Sequence, residues 1–515
     1  MIRIAAVLIL LVSTSTSSTF ASDDPFGAVD QSFDPGARDA TTPFLARGDW
    51  MPEIRLSEND AQESIHPQAV SDPDGMLHLV WKDNGHAYNE IVYRTGREND
   101  WSEILTISHP DTNHNSPSIA IDHESNLHVV FLRWTGIPWG DYDLGYRMYD
   151  AASEQWGPEL RLTYELAIGL SGRPTVVCDS QGTVYAFWLM EDPPERILYR
   201  VKDGGGWSET REATDSSDLP NGYYGAAVSS DNAVHLVYQD YRSGSPHLYH
   251  RILAGGEWSD AVPVTEGSSS YIHPRMAGDN AGNVHMTYGG GAYATRVHYR
   301  MWDPGSGAWS ADMGFPSTWS LPRPFIAVDP VSGDVHITHD EYMSPHIQII
   351  HIAYDASMGT WDSDQVTDAL GERWNPEVCL DPDGVPHVCW YDERDGTGQE
   401  EIYYTAKLDL SDVPASEPVA LKLRGAPNPF RRGGNIRISC SHPASELKIL
   451  DASGRVMRVL PAPGGGSSSG TVGSSTWTVR WDGTNVQGRL CPAGVYFARV
   501  QGPAERAVLR VIHLR

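Results

Sequence analysis

Short runs of alternating apolar and polar residues, cut by polar turns, recur along the chain about every fifty residues. One unit reads Pro-x-apolar-x-x-Asp, a polar turn, apolar-His-apolar-x-aromatic, a variable loop, a Tyr-Arg segment and then Trp-Ser. Apolar residues at every second position are typical of half-buried strands. In the second unit they predict strands at 118–122, 127–131 and 144–149, with a fourth strand after Trp156. Each unit therefore predicts one four-stranded sheet.

The repeated histidine position shows how many units there are. It reads His78, His128, Tyr185, His235, His285, His336 and His387, with spacings of 50, 57, 50, 50, 51 and 51 residues. A lone four-stranded sheet leaves both faces open, whereas sheets stacked radially cover each other. The seven units therefore predict an all-β fold that contains a seven-bladed β-propeller at 49–409.

The tryptophan of each unit predicts how the ring closes. It recurs at Trp50, Trp101, Trp156, Trp207, Trp258, Trp309 and Trp361. Trp50 precedes the first full unit, and no such residue follows the last Tyr403-Tyr404 segment. We therefore expect the segment 50–57 to supply the outer strand of the final blade.

The N-terminus predicts export. Arg3 precedes a short apolar run at 5–12, and Thr19-Phe20-Ala21 offers a cleavage site, so we expect a signal peptide at 1–21 and an extension at 22–48. The apolar run is too short to span a bilayer, and no later segment is apolar enough. The protein is therefore expected outside the cell; the resemblances below imply a secreted protein or the outer cell surface of a bacterium.

Cysteines and charge limit the chemistry. Five cysteines leave at least one unpaired, and both Cys379–Cys389 and Cys440–Cys491 remain open as disulfides. No Cys/His spacing suggests zinc, and we expect no metal or cofactor, although the Asp-x-x-Gly turns leave calcium as an alternative to ordinary hairpins. Residues 419–515 hold 14 basic and 4 acidic residues, a charge of +10, so the rest of the chain carries −39 and the whole chain −29. That body should repel nucleic acid.

The repeats resemble the sialidase-like, or BNR-like, group of secreted bacterial propellers. The resemblance rests on the segments 237–244 (VYQDYRSG) and 390–396 (WYDERDG). It implies the propeller fold. The chain departs from sialidases in lacking their Phe/Tyr-Arg-Ile-Pro motif and their Ser-x-Asp-x-Gly-x-x-Trp boxes.

A different pattern follows a linker at 410–418. The segments 426–430 (APNPF), 447–455 (LKILDASGR), 481–483 (WDG) and 492–497 (PAGVYF) resemble FlgD-like immunoglobulin-type domains. Such domains end many proteins exported by the type IX secretion system. The resemblance implies a β-sandwich at 419–515 that serves as a sorting domain with the type IX secretion machinery as partner; a structural carbohydrate-binding module is the alternative.

Residues that all blades share hold the fold, so we expect the repeated histidines to pack between blades and to bond neighbouring backbone. The position before the recurring proline varies instead. It reads His66, Ser116, Arg173, Tyr223, His273, Arg323 and Asn375. Two residues further on the chain reads Gln68, Ser118, Thr175, Gly225, Arg275, Phe325 and Glu377. In a propeller this is the start of the innermost strand, at the mouth of the central channel.

These residue types suit an acidic glycan. Arginine donates two parallel hydrogen bonds to a carboxylate or sulfate, so Arg173, Arg275 and Arg323, with Asn375, are predicted to bind ligand. Aromatic residues of the loops on the same face, Trp134 and Tyr241 among them, could stack on sugar rings. Other residues that we place in these loops are Trp139, Tyr142, Arg242, His339, Tyr342, His346 and Arg394.

Three functions fit the ring of residues. In a glycoside hydrolase, Tyr223 activated by Glu377 would be the nucleophile. In a uronate lyase, His66 or His273 with Tyr223 would move the protons. The alternatives are a lectin or adhesion module that uses the same mouth without chemistry, and a protein-interaction scaffold.

Overall fold

The structure is a computed structural model, and its description covers residues 50–407 without 59–61, 85–86, 137–141, 164–169, 191–193, 268, 292–295, 319–321, 369 and 397–398, together with 422–426, 434–440 and 446–513 without 453, 462–474 and 502–505. The predicted signal peptide 1–21, the extension 22–48 and the linker 410–418 lie outside the described residues. The described part of the chain is all-β. No helix within it is long and apolar enough to cross a membrane.

Residues 50–407 form seven antiparallel sheets of similar layout, which is consistent with propeller blades. The chain begins with β1 (Ile54–Arg55). Sheet 1 contains β2 (Ser64–Ser71), β3 (Leu77–Asn84), β4 (Asn89–Arg97), β5 (Asp100–Trp101) and β6 (Leu105–Thr106). Sheet 2 contains β7 (His114–Ile121), β8 (Leu127–Trp134), β9 (Tyr142–Asp150), β10 (Gln155–Trp156) and β11 (Leu160–Arg161).

The next three sheets repeat this layout. Sheet 3 contains β12 (Leu170–Cys178), β13 (Val184–Met190), β14 (Arg196–Asp203), β15 (Gly206–Trp207) and β16 (Arg211–Glu212). Sheet 4 contains β17 (Pro220–Val228), β18 (Val234–Asp240), β19 (His247–Ala254), β20 (Glu257–Trp258) and β21 (Val262–Pro263). Sheet 5 contains β22 (Ser270–Gly278), β23 (Val284–Gly291), β24 (Arg296–Asp303), β25 (Ala308–Trp309) and β26 (Met313–Pro316).

The last two sheets of the repeat region have four strands each. Sheet 6 contains β27 (Phe325–Val328), β28 (Val335–Met343), β29 (His346–Asp355) and β30 (Thr360–Gln365). Sheet 7 contains β31 (Arg373–Leu380), β32 (Pro386–Asp392), β33 (Glu401–Ala406) and, as its outer strand, β1.

The C-terminal region forms two further antiparallel sheets. One has the order β34 (Lys422–Ala426), β35 (Gly434–Cys440) and β38 (Ser475–Trp481). The other has the order β37 (Val456–Pro461), β36 (Glu446–Leu450), β39 (Gly494–Gln501) and β40 (Arg506–His513).

The first long strand of each sheet, here called its inner strand, packs against the inner strand of the next sheet. The inner strands are β2, β7, β12, β17, β22, β27 and β31, and β31 packs in turn against β2. Apolar side chains of neighbouring sheets interleave, as Leu132 of sheet 2 does with Trp188 of sheet 3 in one buried cluster. Since the sheets follow one another in a cycle, the starts of the inner strands meet at one end.

The N-terminal segment occupies the outer place in sheet 7, as the tryptophan pattern predicts. Ile54 pairs with Tyr404, and Trp50 bridges to Lys407. The N–H of Ile402 donates to Ser57 Oγ at 2.9 Å, as the N–H of Ile91 donates to Ser108 Oγ at 2.9 Å inside sheet 1. The segment thus makes the contacts that the unit's own end makes elsewhere.

The repeated histidines are structural. The sequence predicts that they bond neighbouring backbone, but in the structure their partners are side chains. In four sheets Nδ1 faces a tyrosine hydroxyl at 2.7–2.8 Å and Nε2 faces the aspartate of the turn at 3.1–3.4 Å; the histidines are His78, His128, His285 and His387. In the turn of sheet 1, Asp72 Oδ1 also accepts the N–H groups of Asp74 and Met76. The turn carboxylates therefore already serve as hydrogen-bond acceptors.

Neither of the two disulfides that the sequence allows, Cys379–Cys389 and Cys440–Cys491, is formed. Cys379, Cys389 and Cys491 are free thiols, and so is Cys178. Cys379 pairs with His387 and Cys389 with Glu377, so the two cysteines of sheet 7 sit diagonally and not opposite each other. Burial raises the pKa of the Cys379 thiol above its usual value.

Candidate functional site

A bulge interrupts the inner strands at the position before the recurring proline. The register of inner and middle strand shifts between Ile65 and Gln68, and equivalent shifts occur in sheets 2, 3, 4, 5 and 7. The candidate residues therefore do not begin the strand, as the sequence suggested, but lie within it. Arg323 differs, because β27 begins two residues later, at Phe325. Bulges re-aim side chains and are frequent near functional sites.

Four of these bulges hold a non-glycine residue in the left-handed backbone region. The φ values are 58° at His66, 49° at Ser116, 54° at His273 and 50° at Asn375. In sheet 4 a glycine takes this conformation, with φ 68° at Gly222. Such residues cost roughly 1–3 kcal/mol each and persist where the surroundings hold them in place. The backbone strain is thus concentrated at one end of the inner strands.

Residues two positions after the bulge form one level around the ring. Each pairs with the same place on its middle strand, as Gln68 does with Val80 and Glu377 with Cys389. Gln68 Nε2 donates to Glu377 Oε2 at 2.8 Å across the boundary of sheets 1 and 7. The guanidinium of Arg275 lies over the Phe325 ring, with Cζ 5.0 Å from the centroid. Side chains from different sheets therefore meet at this level.

Glycine at this level in sheet 4 reflects how closely the inner strands approach. A Cβ on Gly225 would lie 2.7 Å from the carbonyl oxygen of Pro274 in the next sheet. Such a contact is too short for a side chain, so only glycine fits.

Arg275 connects the charged residues of the mouth. It interacts electrostatically with Glu377, Arg323 and Tyr223, which come from sheets 7, 6 and 4. Burial lowers the pKa of its guanidinium, Glu377 opposes that effect, and the like charge of Arg323 adds to it. Arg275 nevertheless keeps partial exposure, as do Arg323 and Glu377. An environment that is enclosed but partly open to solvent is typical of a channel.

Tyr223 and His273 form a second contact between sheets. Their ring centroids are 4.0 Å apart and the planes are tilted by 52°. Both side chains are partly exposed. A phenol and an imidazole in contact, with the phenol near the Arg275 guanidinium, could pass a proton or bind a sugar.

His66 and Asn375 lie deeper. His66 is buried, and its ring centroid is 6.4 Å from that of Tyr391 in sheet 7. Asn375 is 1% exposed, and neither polar atom of its side chain has a hydrogen-bond partner among the described protein groups. His66 thus lies at the boundary of sheets 1 and 7.

No described contact joins the remaining predicted ligand-binding residues to Tyr223, His273, Arg275, Arg323 or Glu377. The side chain of Arg173, on β12, lies outside what the structure describes. Trp134 ends β8, pairs with Tyr142 and is partly exposed. Tyr241 follows β18 and is 42% exposed. We use the name "mouth cluster" for the residues that do meet: Tyr223, His273, Arg275, Arg323 and Glu377.

Two arginines of the loops have structural roles. Arg242 Nη2 lies 2.6 Å from Asp240 Oδ2, and its Cζ lies 4.2 Å from the centroid of Tyr249. Arg394 repeats this arrangement with Asp392 and with Tyr403, at 4.0 Å from the ring. This shared geometry explains why the two repeats carry similar sequences at 237–244 and 390–396.

The sequence interpretation missed Asp340. This residue lies on β28, is 0% exposed, and interacts electrostatically with Arg323. Burial raises the pKa of its carboxyl group, while Arg323 and then His339 oppose the rise. His339, which we expected in a loop, also lies within β28 and is buried. The only signal was an acidic residue at a position where the other units carry none.

Comparisons with known proteins complete the description. No protein-family model and no curated protein matches the chain. Among solved structures, a fungal alcohol oxidase with copper is 12% identical, with TM-score 0.48, over 90% of this chain and 99% of that one. An ulvan lyase bound to a GlcA-Rha3S saccharide is 12% identical, with TM-score 0.45, over 70% and 94%. A Hadza microbial sialidase is 13% identical, with TM-score 0.41, over 64% and 76%. Similarity this low carries no argument about activity.

Proposed function

We propose that the chain is a secreted or surface-attached seven-bladed β-propeller that binds an acidic glycan at the mouth cluster. The observation that carries the proposal is the meeting of Arg275 with Arg323, Glu377 and Tyr223, contributed by four sheets. Arg275, Glu377 and Tyr223 each occur in one unit only at their position, and Arg323 shares its residue type only with Arg173, so the fold alone does not require them. The cyclic order of the inner strands supports the ring architecture.

The charges favour an anionic group in the ligand. Two partly exposed guanidinium groups lie close enough to affect each other, within a body that is otherwise strongly acidic. A carboxylate or sulfate would relieve their repulsion and accept their N–H groups. The acidic surroundings repel long polyanions such as nucleic acid at a distance. A short oligosaccharide that carries a carboxylate or sulfate group fits both conditions.

The experiment is a binding titration with carboxylated and sulfated oligosaccharides by calorimetry. Arg275→Ala and Arg323→Ala should each weaken binding by about tenfold or more, because each removes a charge-assisted contact. Arg211→Ala is the matched control, since Arg211 is exposed on the outer strand β16. Binding should also weaken as salt is raised. Equal affinities in all four proteins would rule out the mouth cluster.

Catalysis is the second step of this proposal, and the contact of Tyr223 with His273 favours it over a lectin. As a glycoside hydrolase, the protein would use Tyr223 with Glu377; as a uronate lyase, it would use His273 or His66 with Tyr223. Tyr223→Phe keeps the ring and removes the phenolic hydroxyl group. The substitution should therefore abolish turnover and spare binding. Absorbance of unsaturated uronates separates lyase from hydrolase. Binding without any product would instead indicate a lectin.

We also propose that the C-terminal region is an immunoglobulin-like sorting domain for type IX secretion, carried on a chain exported through its signal peptide. Its two antiparallel sheets of three and four strands fit a β-sandwich. A chain without residues 419–515 should remain inside a host with that system. Its normal appearance at the cell surface would contradict the sorting role.

A further inference from the structure

The side-chain amide of Gln68 is held at two points. Its Nε2 donates to the carbonyl of Pro67 at 2.9 Å and to Glu377 Oε2 in sheet 7 at 2.8 Å. A backbone carbonyl and an ionised carboxylate can only accept hydrogen bonds, so both partners select the N–H end of the amide. Hydrogen bonds to a carboxylate are shorter and stronger than those between neutral groups. Gln68 therefore fixes the carboxylate of Glu377 across the boundary of sheets 1 and 7.

The fold does not require glutamine at this position. At the same level the other units carry residues that differ in size, charge and polarity: Ser118, Thr175, Gly225, Arg275, Phe325 and Glu377. Gln68 itself is partly exposed, and its place in sheet 1 is secured by the backbone pairing of β2 with β3 at Val80. The contact of its amide with Glu377 is therefore not a requirement of the sheet.

The same level carries a cation on the other side of sheet 6. In the order of the ring, Arg275 in sheet 5 is followed by Phe325 in sheet 6 and Glu377 in sheet 7. The Arg275 guanidinium lies over the Phe325 ring, with Cζ 5.0 Å from the centroid, and interacts electrostatically with Glu377. The mouth therefore offers N–H donors at Arg275 and acceptor oxygens at Glu377, with an apolar ring between them in the order of the sheets.

These two ends suit the two kinds of polar group on an acidic sugar. A carboxylate of the sugar accepts the N–H groups of Arg275, whereas sugar hydroxyl groups donate to a carboxylate. An ionised carboxylate has about four lone-pair sites, so the bond from Gln68 leaves acceptor capacity on Glu377. Glu377 is also partly exposed, so a ligand can reach it. A glutamate that is fixed in advance loses less conformational entropy when the ligand binds.

We propose that Gln68 is the positioning residue of Glu377, which accepts hydrogen bonds from hydroxyl groups of the same acidic sugar whose carboxylate Arg275 binds. This inference rests on the proposed function, because it divides one ligand between the two ends of the mouth cluster. It narrows the ligand class to acidic sugars with free hydroxyl groups beside the carboxylate, as in uronates. Gln68 acts through Glu377 and binds no ligand group itself.

The first test needs no ligand. Gln68→Met keeps the length of the side chain and removes its N–H groups. Because a hydrogen bond to the ionised carboxylate opposes the protonation that carbodiimide activation requires, Glu377 should be labelled about threefold faster in this variant. The rate is measured by peptide mass spectrometry against Glu209, an exposed glutamate, in the same sample. Ser118→Ala is the matched control, since Ser118 lies at the same level and its Oγ accepts the N–H of Val176 at 3.2 Å.

A second substitution guards against a local fault of the first. Gln68→Ser copies the residue that sheet 2 carries at this level and is too short to reach Glu377, so it should give the same faster labelling. Both variants should melt close to wild type, because Gln68 is partly exposed. Unchanged labelling of Glu377 in both variants, an equal change in Ser118→Ala, or failure of both Gln68 variants to fold would overturn the positioning role.

Binding supplies the second test. Calorimetry compares a glucuronate disaccharide with the same disaccharide after methylation of its hydroxyl groups. Wild type should prefer the form with free hydroxyl groups by about tenfold or more, and Gln68→Met should reduce that preference but cause no further loss in a Glu377→Ala background. The same preference in wild type and in Glu377→Ala would overturn the hydroxyl-binding role of Glu377. If labelling changes as expected but no acidic saccharide binds wild type, the proposed function fails and the positioning of Glu377 by Gln68 stands.

Discussion

The bulges set the chemistry of individual residues at the mouth. His66, Ser116, His273 and Asn375 hold left-handed φ angles that glycine would adopt more easily. In sheet 4 the bulge is longer and the left-handed residue is Gly222, one residue before Tyr223. A histidine that remains in such a conformation is therefore retained for its imidazole, since the backbone alone favours glycine. His273 uses that imidazole against Tyr223.

The backbone of His273 favours glycine, whereas its side chain contacts Tyr223, so His273→Gly should affect stability and binding differently. The substitution relieves the strained φ, so the free energy of unfolding should stay within about 1 kcal/mol of wild type. Binding of acidic oligosaccharides, measured by calorimetry, should nevertheless weaken because the contact with Tyr223 is lost. Ser116→Gly changes the same kind of bulge without touching the mouth cluster. Equal losses of affinity in both variants would show that rigidity of the bulge matters and the imidazole does not.

At the scale of strands, the two-residue strand β1 closes the seventh sheet. Leu56 is 1% exposed, and its carbonyl accepts from Arg94 Nη1 at 2.6 Å. Arg147 makes the same contact with the carbonyl of Ile107 between sheets 1 and 2. The junction of N- and C-terminal segments is therefore built like the other junctions, without a covalent bond between them.

Trp50 anchors this junction, and Trp50→Ala should detach it. The indole is 4% exposed, donates to Asp364 Oδ1 at 2.8 Å and lies edge-on to His351 at 5.2 Å. Its loss should cost about 3–5 kcal/mol and expose the edge of β33. Limited proteolysis should then cut near residue 50. Trp101→Ala, at the same position of sheet 1 but partly exposed, should give a smaller loss and no new cleavage; identical digests of both variants would contradict the anchor.

The repeat pattern reveals strands and their order because side-chain alternation and turn residues are local signals. The meeting of Arg275 with Glu377 follows from the same pattern, since equivalent positions of a closed ring lie at one level. The bulge at His273 escapes this reasoning: an extra residue in one strand leaves the fifty-residue spacing unchanged. The burial of Asp340 escapes it too, because alternation of side chains along one strand does not show which charged residues surround it. The place of His339 within β28 also escapes it, because strand ends are the least well defined part of an alternating pattern.

For the molecule as a whole, the buried histidines link stability to pH. Burial lowers the pKa of His78 and His285, that of His235 to about 4 and that of His336 to about 3. Carboxylates that face such rings have a lowered pKa as well: hydrogen bonds from Asn283 and then His285 lower that of Asp279, and His351 lowers that of Asp364. Both kinds of group act in the same direction, because in acid each binds protons more readily in the unfolded chain than in the folded one.

The free energy of unfolding should therefore be highest above pH 6.5 and fall continuously as the pH drops toward 4. The unfolded histidine takes up its proton near pH 6.5, whereas folded His235 resists protonation until about pH 4. At about 1.4 kcal/mol for each pH unit, His235 alone should account for roughly 3 kcal/mol of the loss. His235→Tyr, which copies the Tyr185 that sheet 3 carries at this position, should flatten the slope in urea titrations between pH 6.5 and 4. His123→Gln, at an exposed site, should leave the slope as in wild type. If His235→Tyr keeps the full slope, the repeated histidines do not govern acid stability, and the carboxylates alone must be responsible.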